Sequence, residues 1–382
     1  MIAAAALAAL ALASSTPDEP LGLRTQGTFR ELFLDPVLTD ARPLPRASFD
    51  VRWAFANDWS TPTLVRRGDQ VAALQNDEQA DSLTFSARAP WGPATFAAEW
   101  RLTQHWGGWT DVIIEDWHRI LGVYNYERLD FPRNAVRIRL GAASGPHAID
   151  LQGPRFAWGD FVLRAQVPLA RGGAGPAGQA GETGQAGADG RDRWAIALRG
   201  DVKAPTGRVS DAGGSGGWDG AVALVATTEV GSQLTLHAMA SATVVSDLPS
   251  SALVQPRRWQ LGADLSAALR LGAWTLLAED RVRSALLEGD WRYEGTDQAR
   301  RASAFMAAFR PHNQVSFGVR RGPITAWFSE DVTFGQGDPV NGWYYLSNAP
   351  DPWSASPTRT SCDRSQRSVR PGPLAVGLLF AA

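Results

Sequence analysis

Apolar and polar residues alternate one by one along about fourteen short stretches of this chain, a period of two that predicts β-strands with one oily and one wet face. In Arg258–Leu271 every odd position from Trp259 to Leu271 is apolar, while Gln260, Asp264, Ser266 and Arg270 take the other side. The same pattern runs through Phe49–Phe55, Ser82–Arg88 and Ala94–Leu102. It places strands at 49–59, 70–76, 82–89, 94–103, 135–143, 160–168, 193–203, 219–229, 232–243, 258–271, 273–282, 302–310, 314–321 and 323–331. A tilted strand needs roughly 9–11 residues to cross a bilayer, and many of these have that length. Short turns such as Pro90-Trp91-Gly92-Pro93, Val230-Gly231, Leu271-Gly272 and Arg321-Gly322-Pro323 join neighbours in an antiparallel, up-and-down manner. The expected fold class is all-β: an antiparallel up-and-down transmembrane β-barrel of about 12–14 strands. On it, Ala263 is expected to face lipid and reject an arginine, and its neighbour Asp264 to tolerate one.

Alternation by itself does not say which face meets oil. Trp53, Trp59, Trp91, Trp194, Trp218, Trp259, Trp274 and Trp327 sit near strand ends, where they suit an aromatic girdle at the headgroup layer or, equally, the core of a β-sandwich.

Other segments divide the chain. Residues 1–13 read as a signal peptide, with an apolar Ile2–Leu12 and a small-x-small Ala11-Leu12-Ala13, although without a basic start. Residues 14–48 form an N-terminal arm: Thr16–Arg46 carries five prolines, no sustained period and an apolar patch at Phe29–Leu34, so it is expected to pack at the barrel mouth or enter the lumen. The barrel domain spans 49–345. Within it, Trp109–Leu121 fits one helical face better than alternation and predicts a short amphipathic loop helix. Gly172–Gly190, with glycine at every third position, is expected to be a flexible loop. Residues 346–382 are atypical: Pro352–Pro373 does not alternate, and a frameshift there is expected to have displaced a closing strand. No later stretch has the roughly 18 uninterrupted apolar residues of a transmembrane helix.

Charge and chemistry narrow the function more than they define it. Charged residues are 20% of the chain with a formal net charge of -2, which argues against a nucleic-acid partner, since phosphate demands a basic face. Cys362 is the lone cysteine, so an intrachain disulfide or thiolate cluster is excluded. Glu115 and His118 share an i, i+3 spacing used in metal sites but lack the second such pair those sites need. The histidines form no metal-binding spacing, no Gly-x-Ser-x-Gly occurs, and a triad involving His237 and Ser246 is left as a minor reading. Gly213–Gly217 lacks the Lys-Ser/Thr of a phosphate loop and reads as a flexible hairpin loop. No catalytic, cofactor-binding or metal site is therefore predicted, and no cofactor. What remains is a set of mixed charges on the polar faces, expected to line the lumen: Glu99, Arg101, Arg137, Arg139, Asp201, Lys203, Arg281, Glu330 and Asp331.

Several segments together resemble domain-of-unknown-function family 3187, bacterial proteins regarded as outer-membrane β-barrels. They are Leu23-Arg24-Thr25-Gln26, Trp106-Gly107-Gly108-Trp109-Thr110-Asp111 leading to Glu115-Asp116-Trp117-His118, Asp201-Val202-Lys203-Ala204-Pro205-Thr206-Gly207 followed by Gly213–Gly217 and Asp219, and Phe328-Ser329-Glu330-Asp331. The resemblance implies a cell outer-membrane location, with outer-membrane lipid and the barrel-assembly machinery as partners. The expected function is a structural barrel or narrow small-solute pore rather than an enzyme. The rivals are a soluble periplasmic barrel that binds an apolar ligand and an outer-membrane lipid hydrolase.

Overall fold

The computed structural model describes residues 18–25, 27–121, 131–172, 192–289, 291–294, 309 and 311–333. In chain order the elements are α1 (Thr28–Glu31), β1 (Ser48–Arg67), β2 (Gln70–Trp91), β3 (Ala94–Trp106), α2 (Asp111–Leu121), β4 (Arg137–Ala142), β5 (His147–Leu151), β6 (Arg155–Trp158), β7 (Phe161–Gly172), β8 (Trp194–Ala204), β9 (Asp219–Val230), β10 (Leu234–Val244), β11 (Trp259–Leu271), β12 (Trp274–Arg283), β13 (Arg292–Glu294), β14 (His312–Arg321) and β15 (Ile324–Thr333). The described strands form one antiparallel sheet of fifteen, and its main path from β1 to β15 pairs neighbours largely in chain order. The all-β, up-and-down reading of the alternation holds. Two of the expected strands, 70–76 and 82–89, are in fact one, because β2 runs unbroken beside the equally long β1. The signal, the strand at 302–310 apart from Phe309, the glycine-rich loop beyond Gly172 and the segment 346–382 lie outside the described residues.

The two ends of the sheet differ. At one end tight turns join β2 to β3, β9 to β10, β11 to β12 and β14 to β15, each containing a glycine at positive φ: Gly92, Gly231, Gly272 and Gly322. A Cβ would meet nothing within 4 Å at any of the four, so the left-handed backbone, and not space, selects glycine there. At the other end lie the long connections 107–136, 205–218, 245–258 and 284–311.

Polarity across the wall is inverted relative to a water-soluble protein. On β8 the buried side chains are Ala195, Ala197, Arg199, Asp201 and Lys203, while Trp194, Ile196, Leu198 and Val202 are exposed. On β9, β11 and β12 the exposed set includes Val222, Leu224, Leu261, Leu265 and Leu276, and the buried set includes Thr227, Asp264, Ser266, Glu279 and Arg281. Exposed tryptophans mark both margins. Trp91, Trp194 and Trp274 ring the short-turn end, and Trp158, Trp218 and Trp259 the long-loop end. Trp194 pairs with Thr228, ten residues along from Trp218. Ten residues are roughly 33 Å of strand, or roughly 25 Å of height at a tilt near 40°, the height of a barrel's lipid-facing band.

Beyond the long-loop margin the polarity reverts. The far halves of β1 and β2, with β4, β5 and the loops after β10 and β12, bury Val65, Leu74, Ile138, Leu140, Ile149, Leu248, Leu286 and Trp291 in an apolar cluster. This cap is an ordinary hydrophobic core. Its assembly explains why β1 has 20 residues and β2 has 22, about twice the roughly 9–11 that a bilayer asks of a strand.

Candidate functional site: a lumen filled by the arm

The arm enters the space enclosed by the curled sheet, climbs it, turns beneath the cap and descends again. Its base is at the short-turn end, where the Asp18 carbonyl is 2.8 Å from His237 Nε2 and the Glu19 carbonyl accepts from Arg320 at 2.8 Å. Higher up, the amides of Gly22 and Leu23 donate to the Glu279 carboxylate at 2.8 and 3.2 Å, and Arg24 pairs with Glu99 at 2.8 Å. At the apex the Thr28 amide donates to Asp58 at 3.1 Å, and Phe29, Leu32 and Phe33 insert into the apolar cluster of the cap. On the way down Leu34 N donates to Asp219 at 2.9 Å, Arg199 donates to the Val37 carbonyl at 2.5 Å, and Ala41 N donates to Thr227 at 2.9 Å.

Two cross-links hold the legs together. Thr25 N donates to Asp35 at 3.2 Å near the apex, and Arg42 pairs with Asp18 and Asp40 at 2.6 Å each near the base. An arm with so few backbone partners of its own must be satisfied by side chains from the wall, and that is why the inward face is charged.

These contacts also show how far the sheet curls. The Glu19 carboxylate pairs with Arg88 on β2 while its carbonyl takes a hydrogen bond from β14, so strands near opposite ends of the sheet meet on one residue. Burial alone would raise the Glu19 carboxyl, but Arg88, then Arg320 and Arg52, outweigh it and hold it below the usual carboxylate range.

Among the described inward charges, two dense groups stand out. Arg281 and Arg283 share Asp35 of the arm at 2.9 and 2.7 Å, and Asp264, whose side chain has no exposed surface, lies against both guanidiniums. The expectation that Asp264 tolerates arginine is thereby overturned, since a third guanidinium would enter a dry site already holding two. Second, Lys203 Nζ contacts Asp160, Asp219 at 3.3 Å, Ser215 Oγ at 2.8 Å and the Gly217 carbonyl at 3.1 Å.

That lysine corrects the reading of Gly213–Gly217 as a flexible loop. A Cβ at Gly213 would come within 2.3 Å of the Trp158 carbonyl, and one at Gly214 equally near the Asp160 carboxylate. Close approach is what these glycines serve, and the loop is clamped.

Of the residues expected in the lumen, Glu99, Arg101, Asp201, Lys203 and Arg281 are all buried on the inward side, Arg101 pairing with Glu31 of the arm at 2.6 Å and Asp201 with Arg199 at 3.0 Å. Arg137 and Arg139 sit elsewhere, on β4 in the cap, the first exposed and the second 3.4 Å from Asp150. Glu330 and Asp331 lie on β15, in register with Val315 and Gln314, and their side chains are outside the description. His237 and Ser246 are not brought together, for they stand at opposite ends of the wall. Glu115 accepts from Arg133 at 3.0 Å. Missed from sequence as lumen charges were Arg199 and Asp264, although each lies on the polar side of an alternating strand. At the short-turn mouth a cleft of about 580 Å³, open to solvent, runs beside the arm between Glu19, Asp40, Arg42, Arg88, Arg164 and Gln166.

The sequence profile of a family described as a protein of unknown function, DUF3187, matches residues 2–298. Among curated proteins none matches the chain. Two solved structures show some likeness. One is the COG4313 outer membrane channel from Pseudomonas putida F1, at 14% identity and a TM-score of 0.42, covering 78% of this chain and 92% of that one. The other is the outer membrane channel DcaP of Acinetobacter baumannii, at 13% identity and a TM-score of 0.25, covering 78% and 95% respectively.

Proposed function

This chain belongs to the DUF3187 family of proteins of unknown function, and from its inverted polarity we propose that it is a bacterial outer-membrane β-barrel acting as a narrow pore for small solutes, its lumen occupied by its own N-terminal arm. The observation that carries the reading is the exposed apolar belt between two tryptophan margins, set around a charged and buried interior. Water cannot favour that arrangement, because the exposed leucines would gain roughly 25 cal/mol per Å² by turning inward. Lipid favours it. Four tight turns at one end and most of the long connections at the other agree with the usual orientation of such barrels, the 173–193 connection from β7 to β8 being the exception at the tight-turn end. The rival apolar-ligand carrier is disfavoured by the described lumen, where the charged groups are largely paired and inward apolar residues such as Ala195, Ala197, Val225 and Met239 pack on Leu38 and Ala41 of the arm itself.

An arm that fills the lumen also favours a second reading, a barrel that conducts nothing and serves as a scaffold. Planar-bilayer recordings separate the two. The full chain is expected to give small, infrequent steps, and a variant lacking 19–45 larger ones, provided each migrates as a heat-modifiable band. A folded full chain that conducts no better than bare lipid, while the armless variant conducts, would sink the pore and leave the scaffold. A chain that stays soluble without detergent and shows no heat-modifiable band would sink both.

A further inference from the structure

Helix α2 is held to the protein by buried carboxylates while isoleucines and a valine are left exposed. Its buried contacts are polar. Asp111 accepts from the Asn57 side chain at 2.8 Å and from the Asn134 amide at 2.6 Å, and Glu115, 2% exposed, accepts from Arg133. The turn before it is pinned in the same way, the Trp109 amide and the Thr110 hydroxyl both donating to Gln79 Oε1, at 3.2 and 2.9 Å. Its exposed side chains, among those described, are three apolar residues and one ion pair, Asp116–Arg119 at 2.7 Å. Val112, Ile113 and Ile120 are 43%, 53% and 76% exposed, and Trp109 just before the helix is 54% exposed.

The side of the wall on which α2 rests follows from strand alternation. Asn57 and Gln79 are register partners on β1 and β2. Their neighbours Asp58 and Glu78 both reach Thr28 of the arm, inside the lumen, so Asn57 and Gln79 face outward. Along β1 the same outward row continues from Asn57 to the exposed Phe55 and Trp53 of the apolar belt. Thus α2 lies against the outside of the barrel at the long-loop margin, next to the belt.

We infer that α2 is an interfacial anchor, lying in the headgroup layer of the bilayer that surrounds the barrel with Val112, Ile113 and Ile120 against the acyl boundary. The inference rests on the membrane reading above. Continuity with the belt selects lipid as the occupant: a helix in that position meets headgroups and upper acyl chains on its outer side, where the exposed Asp116–Arg119 pair suits the headgroups and the exposed Ile113 and Ile120 the acyl boundary.

Lipid quenching tests it. The full chain, carrying Cys362→Ser, takes an environment-sensitive fluorophore at Ile113→Cys, at Ile120→Cys or, as a belt control, at Leu265→Cys. Each is reconstituted into phosphatidylethanolamine–phosphatidylglycerol vesicles containing a nitroxide high or low on the acyl chain, and its folding is checked by heat-modifiable mobility. At 113 and 120 the shallow nitroxide is expected to quench about twofold more strongly than the deep one, with aqueous iodide having little effect. At 265 the order is expected to reverse. Iodide quenching without lipid quenching at 113 and 120, while 265 is quenched by lipid, overturns the anchor and leaves the barrel in its membrane. Quenching at 113 and 120 by neither iodide nor lipid means that a second copy covers the face, and overturns the anchor as well. Absence of lipid quenching at 265 as well overturns the membrane reading, and the anchor with it.

Discussion

Asp264 sits with no exposed side-chain surface against the guanidiniums of Arg281 and Arg283. Two arginines out of water are tolerable only because carboxylates stand beside them, and Asp264 shares that task with Asp35 of the arm. Removing one partner leaves buried charge uncompensated, which typically costs about 3–5 kcal/mol. Asp264→Ala is therefore expected to lower stability by that amount in urea titrations of the detergent-refolded protein, and Asp264→Arg by at least as much. An unchanged midpoint for both would mean that water reaches this network. The sequence marks Asp264 as lying on the polar face of its strand. It could not show that this face is dry, because dryness depends on the arm that comes from more than 200 residues away.

The arm combines two kinds of attachment. Its legs are held by ion pairs and side-chain-to-backbone hydrogen bonds to β3, β8, β9, β12 and β14, whereas its apex is held by apolar packing of Phe29, Leu32 and Phe33 in the cap. Phe33 is 2% exposed, and truncating such a side chain costs about 3–5 kcal/mol, part of it in the cavity left behind. In Phe33→Ala the apex is expected to leave the cap while the wall stays paired, so trypsin cuts at Arg24 or Arg30 in a protein that keeps its heat-modifiable band. Complete protection of the arm in that variant would show that the legs suffice. The apolar patch Phe29–Leu34 stands out in the sequence against its proline-rich surroundings. Its destination does not, because the cap is assembled from β4, β5 and loops far apart in the chain.

Over the whole molecule, the proposed membrane location rests on the belt. Leu265 is 62% exposed and lies midway along β11 between Trp259 at one margin and Leu271 at the other. Arginine near the midplane of a lipid-facing wall costs roughly 2–4 kcal/mol, so Leu265→Arg is expected to destabilise the vesicle-inserted protein by that much and to have little effect on a water-soluble one. Equal stability of Leu265→Arg and the parent in vesicles would refute the belt. Most strands of the wall, their antiparallel order and the tight turns were determined by the sequence, for period-two alternation and a glycine at positive φ are local properties that each segment carries alone, whereas the short β5, β6 and β13 of the sheet were not. The inward placement of Glu99, Asp201, Lys203 and Arg281 was legible in the same way, one strand at a time. Which face meets oil was not, since alternation is identical for a sandwich core and a lipid belt. Only the tertiary structure decided it, by curling the sheet around the arm: the charged faces then shared one enclosed interior with partners supplied at long range, and the apolar faces were left outside.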